Sequence, residues 1–283
     1  MAGSSGRWLG DPDVFHGEGA YWDRGTLRYV DMLRGDLLTV DSRTHVADVV
    51  ALIRPRVDGG YVVATERGFA LLDDALTVER TIPVFDDPDV RMNEGACDAA
   101  GRLYCGSLAY DYREGGGKLY RLDPDLSVHV VLESVTIPNG LVWSGGAALH
   151  ADTSDGAVYR YEFDATAGSF GQREVFVDFA DAPGSPDGMA LDAEGGLWVA
   201  LWGGHSVRRY DPFGKLTDTI ELPVTNPTSC AIGDTTLYVT TSKQGLDDPI
   251  TEHAGRIYAV EIGVRGAAVH PFGAATAIEP EST

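Results

Sequence analysis

A short motif that recurs six times is the feature of this sequence that most restricts how the chain can fold. Each copy is a turn of small residues followed by a short apolar and aromatic segment, as in residues 101–106 and 195–200. A second segment of the same kind follows most copies, for example residues 118–123. Alternating apolar positions with β-branched and aromatic side chains are typical of β-strands. The motif therefore marks pairs of strands along nearly the whole chain.

The spacing of the copies predicts the architecture. They begin at residues 25, 59, 101, 147, 195 and 235, so successive copies are 34 to 48 residues apart. A repeat of roughly 40–45 residues is the length of one four-stranded propeller blade. No segment shows an apolar stripe of helical period, and 35 Gly and 14 Pro supply many turns. We predict an all-β, six-bladed β-propeller, a single domain over residues 1–283 in which residues 1–12 form a flexible tail.

The net charge disfavours several classes of partner, and the cysteine content indicates the redox state of the protein. A balance of 22 Lys+Arg against 43 Asp+Glu gives a net charge of −21, which disfavours nucleic acid and anionic membrane surfaces. No stretch approaches the roughly 20 apolar residues that span a bilayer, and the first residues lack the apolar segment of a secretory signal. Three cysteines, an odd and low number, are typical of a reduced protein. We expect a cytoplasmic monomer or weak homo-oligomer.

Four oxygen-bearing side chains occupy matching positions just before copies of the motif. They are Glu18, Asn93, Asn139 and Asp187. In each case an Asp or Ser follows five residues later, and the Leu of the motif follows nine or ten residues later. One register in a propeller repeat means one height along the central channel, so these side chains should converge there. Two carboxylates and two amides that converge suit a hard divalent cation.

A simpler interpretation exists for each of these positions. Asn-Gly, Asp-Gly and Glu-Gly are common turn dipeptides, and any one of them alone would be interpreted as a turn. Their occurrence in one register of four separate repeats favours the cation site instead.

Five segments of the chain resemble those of the senescence-marker-protein-30, gluconolactonase and regucalcin-like family of six-bladed propellers. The segments are GEGAYW (17–22), RMNEGACDAAGR (91–102), IPNGLVWS (137–144), PDGMALDAEGGLWVA (186–200) and LYVTT (237–241). They span nearly the full length, and their order is far more specific than any one of them. The resemblance implies one divalent metal ion (Ca²⁺, Zn²⁺, Mn²⁺, Mg²⁺ or Fe²⁺) at one end of the channel. Its implied ligands are Glu18, Asn139 and Asp187, and the implied substrate contacts are Arg91 and Asn93.

The chain departs from the family pattern at two positions. The family often has Asn-Asp-Gly where this chain has Asn93-Glu94-Gly95. A family carboxylate that contacts substrate falls at Tyr110 here. These departures affect the expected sugar preference and leave the three implied ligands in place.

The activity implied by the resemblance is hydrolysis of a sugar (aldono-) lactone to the open aldonic acid. Asp187 is the candidate general base, or else a ligand only. Arg91 would orient the lactone through its guanidinium, and its alternative is a surface ion pair with an acidic residue in the segment 86–89. His205 is a candidate substrate contact or general acid, and its alternative is a solvated loop histidine.

Two other functions stay open on the sequence alone. A related hydrolase of a non-sugar lactone or a phosphotriester would use the same metal. A polar pocket with Arg91 and Asn93 would favour the sugar, and an apolar pocket lined by Met92, Leu108 and Trp202 would favour the other substrates. The second alternative is a non-catalytic propeller that binds a cation, because fold alone does not determine function.

Overall fold

Six antiparallel sheets around a central channel form the molecule, as the repeat predicted. The structure is a computed structural model that describes residues 6–11, 13–246 and 252–273. Each sheet has four strands and forms one blade. The six copies of the sequence motif lie on the second strand of each blade, counted from the channel outwards.

The blades are numbered along the chain, and the strands of each blade are given from the channel outwards. Blade 1 consists of β2 (Gly17–Asp23), β3 (Thr26–Asp31), β4 (Asp36–Leu38) and β5 (Arg43–His45). Blade 2 consists of β6 (Val50–Pro55), β7 (Tyr61–Thr65), β8 (Gly68–Leu72) and β9 (Val78–Pro83). Blade 3 consists of β10 (Val90–Cys97), β11 (Leu103–Ala109), β12 (Gly117–Leu122) and β13 (Val128–Val135). Blade 4 consists of β14 (Pro138–Ser144), β15 (Ala147–Asp152), β16 (Ala157–Asp164) and β17 (Ser169–Asp178). Blade 5 consists of β18 (Ser185–Leu191), β19 (Leu197–Trp202), β20 (Ser206–Tyr210) and β21 (Leu216–Glu221). Blade 6 consists of β22 (Pro227–Gly233), β23 (Thr236–Thr241), β24 (Ile257–Glu261) and β1 (Arg7–Leu9). A 3₁₀ turn at Met32–Arg34 separates β3 from β4. Within the described ranges, no helix is long and apolar enough to cross a membrane.

Blade 6 closes the ring by joining strands from both ends of the chain. β1 pairs antiparallel with β24, and Trp8 lies opposite Tyr258 and stacks on His253 with ring centroids 4.6 Å apart. Residues 7–9, which the sequence placed in a flexible tail, therefore belong to the propeller because they complete its last sheet. Residues 1–5 and 12 lie outside the described residues.

Burial falls from the channel outwards within each blade. β7 and β11 are almost wholly buried, whereas the outermost strands β9 and β21 are mostly exposed. The core is the apolar packing between neighbouring blades, and its largest cluster joins blades 1, 2 and 3. This gradient explains why the sequence motif is strongest on the second strand, since its side chains are buried on both faces of the sheet.

Every innermost strand contains a register shift of one residue near its N-terminal end. The shifts fall at Glu18/Tyr21, Val50/Leu52, Met92/Gly95, Pro138/Leu141, Pro186/Met189 and Pro227/Cys230. A β-bulge leaves its residues without strand partners and redirects their side chains. Asn93, Asn139 and Asp187 lie inside these bulges, and Glu18 is the last paired residue before its own bulge. The repeated register noticed in the sequence is therefore a repeated bulge, with Glu18 one position earlier than the others.

Candidate functional site

Three carboxylates meet at the N-terminal ends of the innermost strands. They belong to Glu18, Glu94 and Asp187, all of them buried. One carboxyl oxygen from each lies within 4.8 Å of the others. We call these three residues the carboxylate cluster. Like charges this close and this poorly hydrated repel one another strongly.

Two oxygens of the carboxylate cluster have no hydrogen-bond partner in the described part of the chain, Glu94 Oε2 and Asp187 Oδ1. The other oxygens are better satisfied: Glu18 Oε2 accepts a hydrogen bond from the Gly19 amide at 3.1 Å, and Glu94 Oε1 accepts one from Ser229 Oγ at 3.3 Å. Unpartnered buried carboxylate oxygens are rare and require an explanation. A hard cation supplies one, because Ca²⁺ and Mg²⁺ are held by such oxygens.

The titration of the cluster reflects this crowding. Burial raises the pKa of Glu18 well above its usual value, and the charges of Asp187 and Glu94 raise it further. Burial and the charge of Glu94 likewise raise the pKa of Asp187. Burial raises the pKa of Glu94 to about 7, against the opposing effects of Arg54 and Ser229. Without a cation, the cluster therefore retains protons up to near-neutral pH.

Close packing of the bulges brings the carboxylates together. Gly188 follows Asp187, and a Cβ atom there would lie 2.6 Å from Ser229 Cα on the neighbouring blade. Any larger residue would push blades 5 and 6 apart at the height of the cluster. The glycine that accompanies Asp187 in the sequence therefore permits close approach between blades.

A row of hydrogen-bonded polar side chains runs from blade 3 to blade 4. Arg91 Nη1 donates to Asn93 Oδ1 at 2.7 Å, and Asn93 Nδ2 donates to Asn139 Oδ1 at 3.0 Å. Asn139 Nδ2 in turn donates to Thr153 Oγ1 at 2.6 Å, which fixes the orientation of its amide. The structure thus joins three residues that the sequence analysis selected, Arg91, Asn93 and Asn139. Arg91 is 4 % exposed, so its alternative role in a surface ion pair is wrong.

His16 lies at the edge of the carboxylate cluster. Its Nε2 is 4.0 Å from Glu18 Oε1, and its Nδ1 lies 2.7 Å from Ser242 Oγ. Burial lowers the pKa of His16 to about 3, and the charge of Arg91 contributes to this. The imidazole is therefore neutral at physiological pH and adds no charge to the cluster.

Tyr110 and His205 lie at the same end of the channel, outside the cluster. Tyr110 Oη donates to Glu66 Oε1 at 2.7 Å, and its ring centroid is 5.9 Å from the Arg91 guanidinium carbon. His205 is exposed in the turn between β19 and β20, with φ of +51°. Their assignment as substrate contacts stays a prediction.

Glu94 is the residue of this site that the sequence analysis missed. It is the second residue of the blade 3 bulge, where blades 4 and 5 have Gly140 and Gly188. The sequence did carry a signal, because Glu94 is an acidic residue directly after Asn93, at a position where blades 4 and 5 have glycine. Recognising the bulge, which needs strand pairing, turns that signal into a prediction.

A C-terminal segment crosses the far end of the channel. Residues 264–273, the channel strap, run across it from blade 5 to blade 2, which lie opposite each other in the ring. The Ala267 amide donates to the Leu191 carbonyl at 2.9 Å, and the Phe272 amide donates to the Pro55 carbonyl at 2.8 Å. A cavity of about 130 Å³ is lined by this strap and by the innermost strands. The cluster lies toward the opposite end of the channel, which also carries Tyr110 and His205.

The fold and this site define a six-bladed propeller with an acidic, cation-type centre in its channel. The family model described as the SMP-30/gluconolactonase/LRE-like region matches residues 16–243, and the chain belongs to that family. A regucalcin of Xenopus laevis is 32% identical over 90% of this chain and 94% of its own. A pentonolactonase of Haloferax volcanii is 32% identical over 88% of this chain and 92% of its own. Among solved structures, a calcium-binding regucalcin of Agrobacterium tumefaciens has a TM-score of 0.85 at 27% identity, covering 94% of this chain and 96% of that one.

Proposed function

We propose that this protein is a divalent-metal-dependent lactonase that opens a sugar lactone to the aldonic acid. The observation that carries the proposal is the pair of unpartnered buried oxygens, Glu94 Oε2 and Asp187 Oδ1, beside an ordered row of polar side chains. The relatives support it, since they include a pentonolactonase and a putative sugar lactone lactonase of Bacillus subtilis, the latter 32% identical over 90% of this chain and 94% of its own.

Glu18, Asn139 and Asp187 are the proposed metal ligands, and Glu94, the third member of the carboxylate cluster, is a further oxygen donor beside them. Their donor atoms are carboxylate and amide oxygens, which suit a hard ion such as Ca²⁺, Mg²⁺ or Mn²⁺ better than a thiophilic one. A divalent ion bound there supplies polarisation of a lactone carbonyl and a lowered pKa for a water molecule.

Asp187 is the proposed general base. Its buried Oδ1 makes no hydrogen bond within the described residues and so retains a lone pair to accept a proton from an attacking water. Burial, and after it the charge of Glu94, raises the pKa of Asp187, which increases its basicity once the group is ionised. Arg91 and Asn93 offer donors and an amide that hold the hydroxyl and ring oxygens of a lactone in place. Tyr110 and His205 are proposed as further contacts at the channel mouth.

The surroundings of the cluster favour a sugar over an apolar substrate. Of the three side chains that an apolar pocket would use, Met92 and Leu108 are wholly buried and Trp202 is partly exposed. Burial alone does not separate the two substrate classes, because Arg91 and Asn93 are also buried, at 4% and 5% exposure. Arg91 and Asn93 form the polar row described above. The two carboxylate oxygens without a hydrogen-bond partner among the described residues, Glu94 Oε2 and Asp187 Oδ1, favour a polyhydroxylated ligand more directly. An apolar substrate would leave such buried polar atoms unpaired, which costs binding energy.

The test is lactone hydrolysis followed by pH-stat on EDTA-stripped protein, with each divalent metal restored in turn. Asp187→Asn should abolish turnover and keep the fold, while Asp218→Asn, an exposed aspartate on β21 of the same blade, should leave turnover unchanged. Metal-dependent turnover well above the spontaneous rate supports the proposal. No turnover on any aldono-lactone with any metal would exclude a sugar lactonase and favour a cation-binding role.

A further inference from the structure

One hydrogen bond spans the mouth of the channel. Tyr112 lies in the turn after β11 of blade 3, and Gln244 lies in the loop after β23 of blade 6. Gln244 Nε2 donates to Tyr112 Oη at 3.2 Å. Blades 3 and 6 are three steps apart in a ring of six, so they face each other across the channel. We call this contact the mouth bridge.

The mouth bridge lies at the end of the channel that holds the carboxylate cluster. Val90 at the start of β10 pairs with Ala109 at the end of β11, and Pro227 at the start of β22 pairs with Thr241 at the end of β23. The loops that follow β11 and β23 therefore extend beyond the N-terminal ends of the innermost strands, where Glu18 and Asp187 are found.

Both partners of the bridge are connected to the site below. The Tyr112 side chain interacts with the guanidinium of Arg91, which belongs to the polar row. On the other side, the backbone N–H of Gln244 donates to Ser242 Oγ at 2.9 Å, and the same hydroxyl lies 2.7 Å from His16 Nδ1. The Gln244 carbonyl also accepts a hydrogen bond from Asn226 Nδ2 at 3.0 Å. These contacts hold the two ends of the bridge over the cluster.

The backbone of Tyr112 has an unusual conformation. Its φ is +56°, in the left-handed region that a bulky side chain rarely adopts. The turn is held by a hydrogen bond from the Tyr112 amide to the Ala109 carbonyl at 2.8 Å. The residue is 46% exposed, so burial of the ring does not explain the strain. Strain of this kind concentrates at functional sites.

We propose that Tyr112 is the residue that limits substrate size, with Gln244 as its partner across the mouth. The bridge divides the opening above the cluster and admits a compact monosaccharide lactone while excluding lactones with a long or bulky substituent. This inference rests on the proposed lactonase function and adds to it a limit on the size of the lactone.

The test compares a compact and a bulky substrate. The ratio of kcat/KM for δ-undecalactone, which carries a six-carbon chain, to kcat/KM for D-glucono-1,5-lactone is measured for wild type, Tyr112→Ala and Gln244→Ala. We expect the ratio to rise at least tenfold in Tyr112→Ala and by a smaller factor in Gln244→Ala. Leu126→Ala is the control, because Leu126 also has a positive φ, +70°, in a turn of blade 3 at the opposite end. A ratio within threefold of wild type in both mouth variants would overturn the proposal.

A second measurement separates this proposal from the lactonase function. If the mouth bridge excludes bulky lactones, we expect it to exclude EDTA as well, so that stripping of Mn²⁺ from wild type, followed by electron paramagnetic resonance, proceeds at a rate independent of EDTA concentration. In Tyr112→Ala the rate should rise with EDTA concentration. If wild type hydrolyses no lactone, the proposed function fails and the stripping rates still decide the role of Tyr112. Equal concentration dependence in both proteins would contradict the mouth bridge.

Discussion

Replacing Glu94 with glutamine tests whether the third carboxylate destabilises the protein until a cation binds. Burial raises the pKa of Glu94 from 4.5 to about 7. Because this folded-state pKa lies above that of the unfolded chain, its contribution to the free energy of unfolding is fully present below about pH 4.5 and is lost as the pH rises through about 7. Glutamine keeps the shape and carries no charge, so metal-free Glu94→Gln protein should not lose this contribution.

The size of the effect follows from the pKa. A rise from 4.5 to about 7 corresponds to about 3 kcal/mol, at about 1.4 kcal/mol for each tenfold change. For 283 residues, an unfolding entropy of about 2 cal/mol/K per residue converts this into about 5 °C in Tm. We expect the metal-free variant to melt about 5 °C above wild type at pH 8, and at the same temperature as wild type at about pH 4.5.

Thermal melts of EDTA-treated protein between pH 4.5 and 8 provide the assay. Glu133→Gln makes the same charge change on a side chain that is 76% exposed and should follow the wild-type curve. With saturating Ca²⁺ the difference should shrink or reverse, because wild type gains about 3 kcal/mol at a hundredfold excess over Kd and the variant binds more weakly. A metal-free variant no more stable than wild type at pH 8 would refute the reasoning.

Three further substitutions test other parts of the structure. Asp187→Asn should lower kcat/KM for a sugar lactone at least a hundredfold, roughly the contribution of a general base, with an unchanged circular dichroism spectrum. Trp8→Ala should lower the free energy of unfolding by about 2 kcal/mol in urea melts, because the stack that holds β1 to blade 6 is lost. Asp98→Ala leaves the buried guanidinium of Arg102 without its carboxylate partner and should cost about 3–5 kcal/mol in the same assay.

The propeller could be predicted because its strongest sequence signal is periodic. The second strands are buried on both faces, so their apolar pattern survives in every blade, as in β7 and β11. The outermost strands β9 and β21 are exposed and carry little pattern, which is why only part of each blade was visible in the sequence. β1 was assigned to a tail because three residues are too short to show alternation, and its strand character depends on pairing with β24.

The sequence predicted those residues of the candidate site that share one position in the repeat, and it missed the residue that does not. Asn93, Asn139 and Asp187 share a position within the bulges, so spacing alone grouped them. Glu18 precedes its bulge by one residue and still reaches the cluster. Glu94 was missed because its position is glycine in two other blades.

The charges around the cluster are compatible with the proposed ester hydrolysis once a divalent ion is bound. The three carboxylates, when ionised, have a total charge of −3. The buried guanidiniums of Arg54 and Arg91, both of which act on the cluster electrostatically, add a charge of +2. His16, with its pKa lowered to about 3, contributes nothing near neutral pH. A divalent ion changes the sum from −1 to +1. Attack of water on a lactone develops one negative charge on the carbonyl oxygen, and a fixed positive surplus in a buried site stabilises that charge without reorganisation. In the proposed reaction, the bound cation would therefore give the site a positive surplus even though three carboxylates line it.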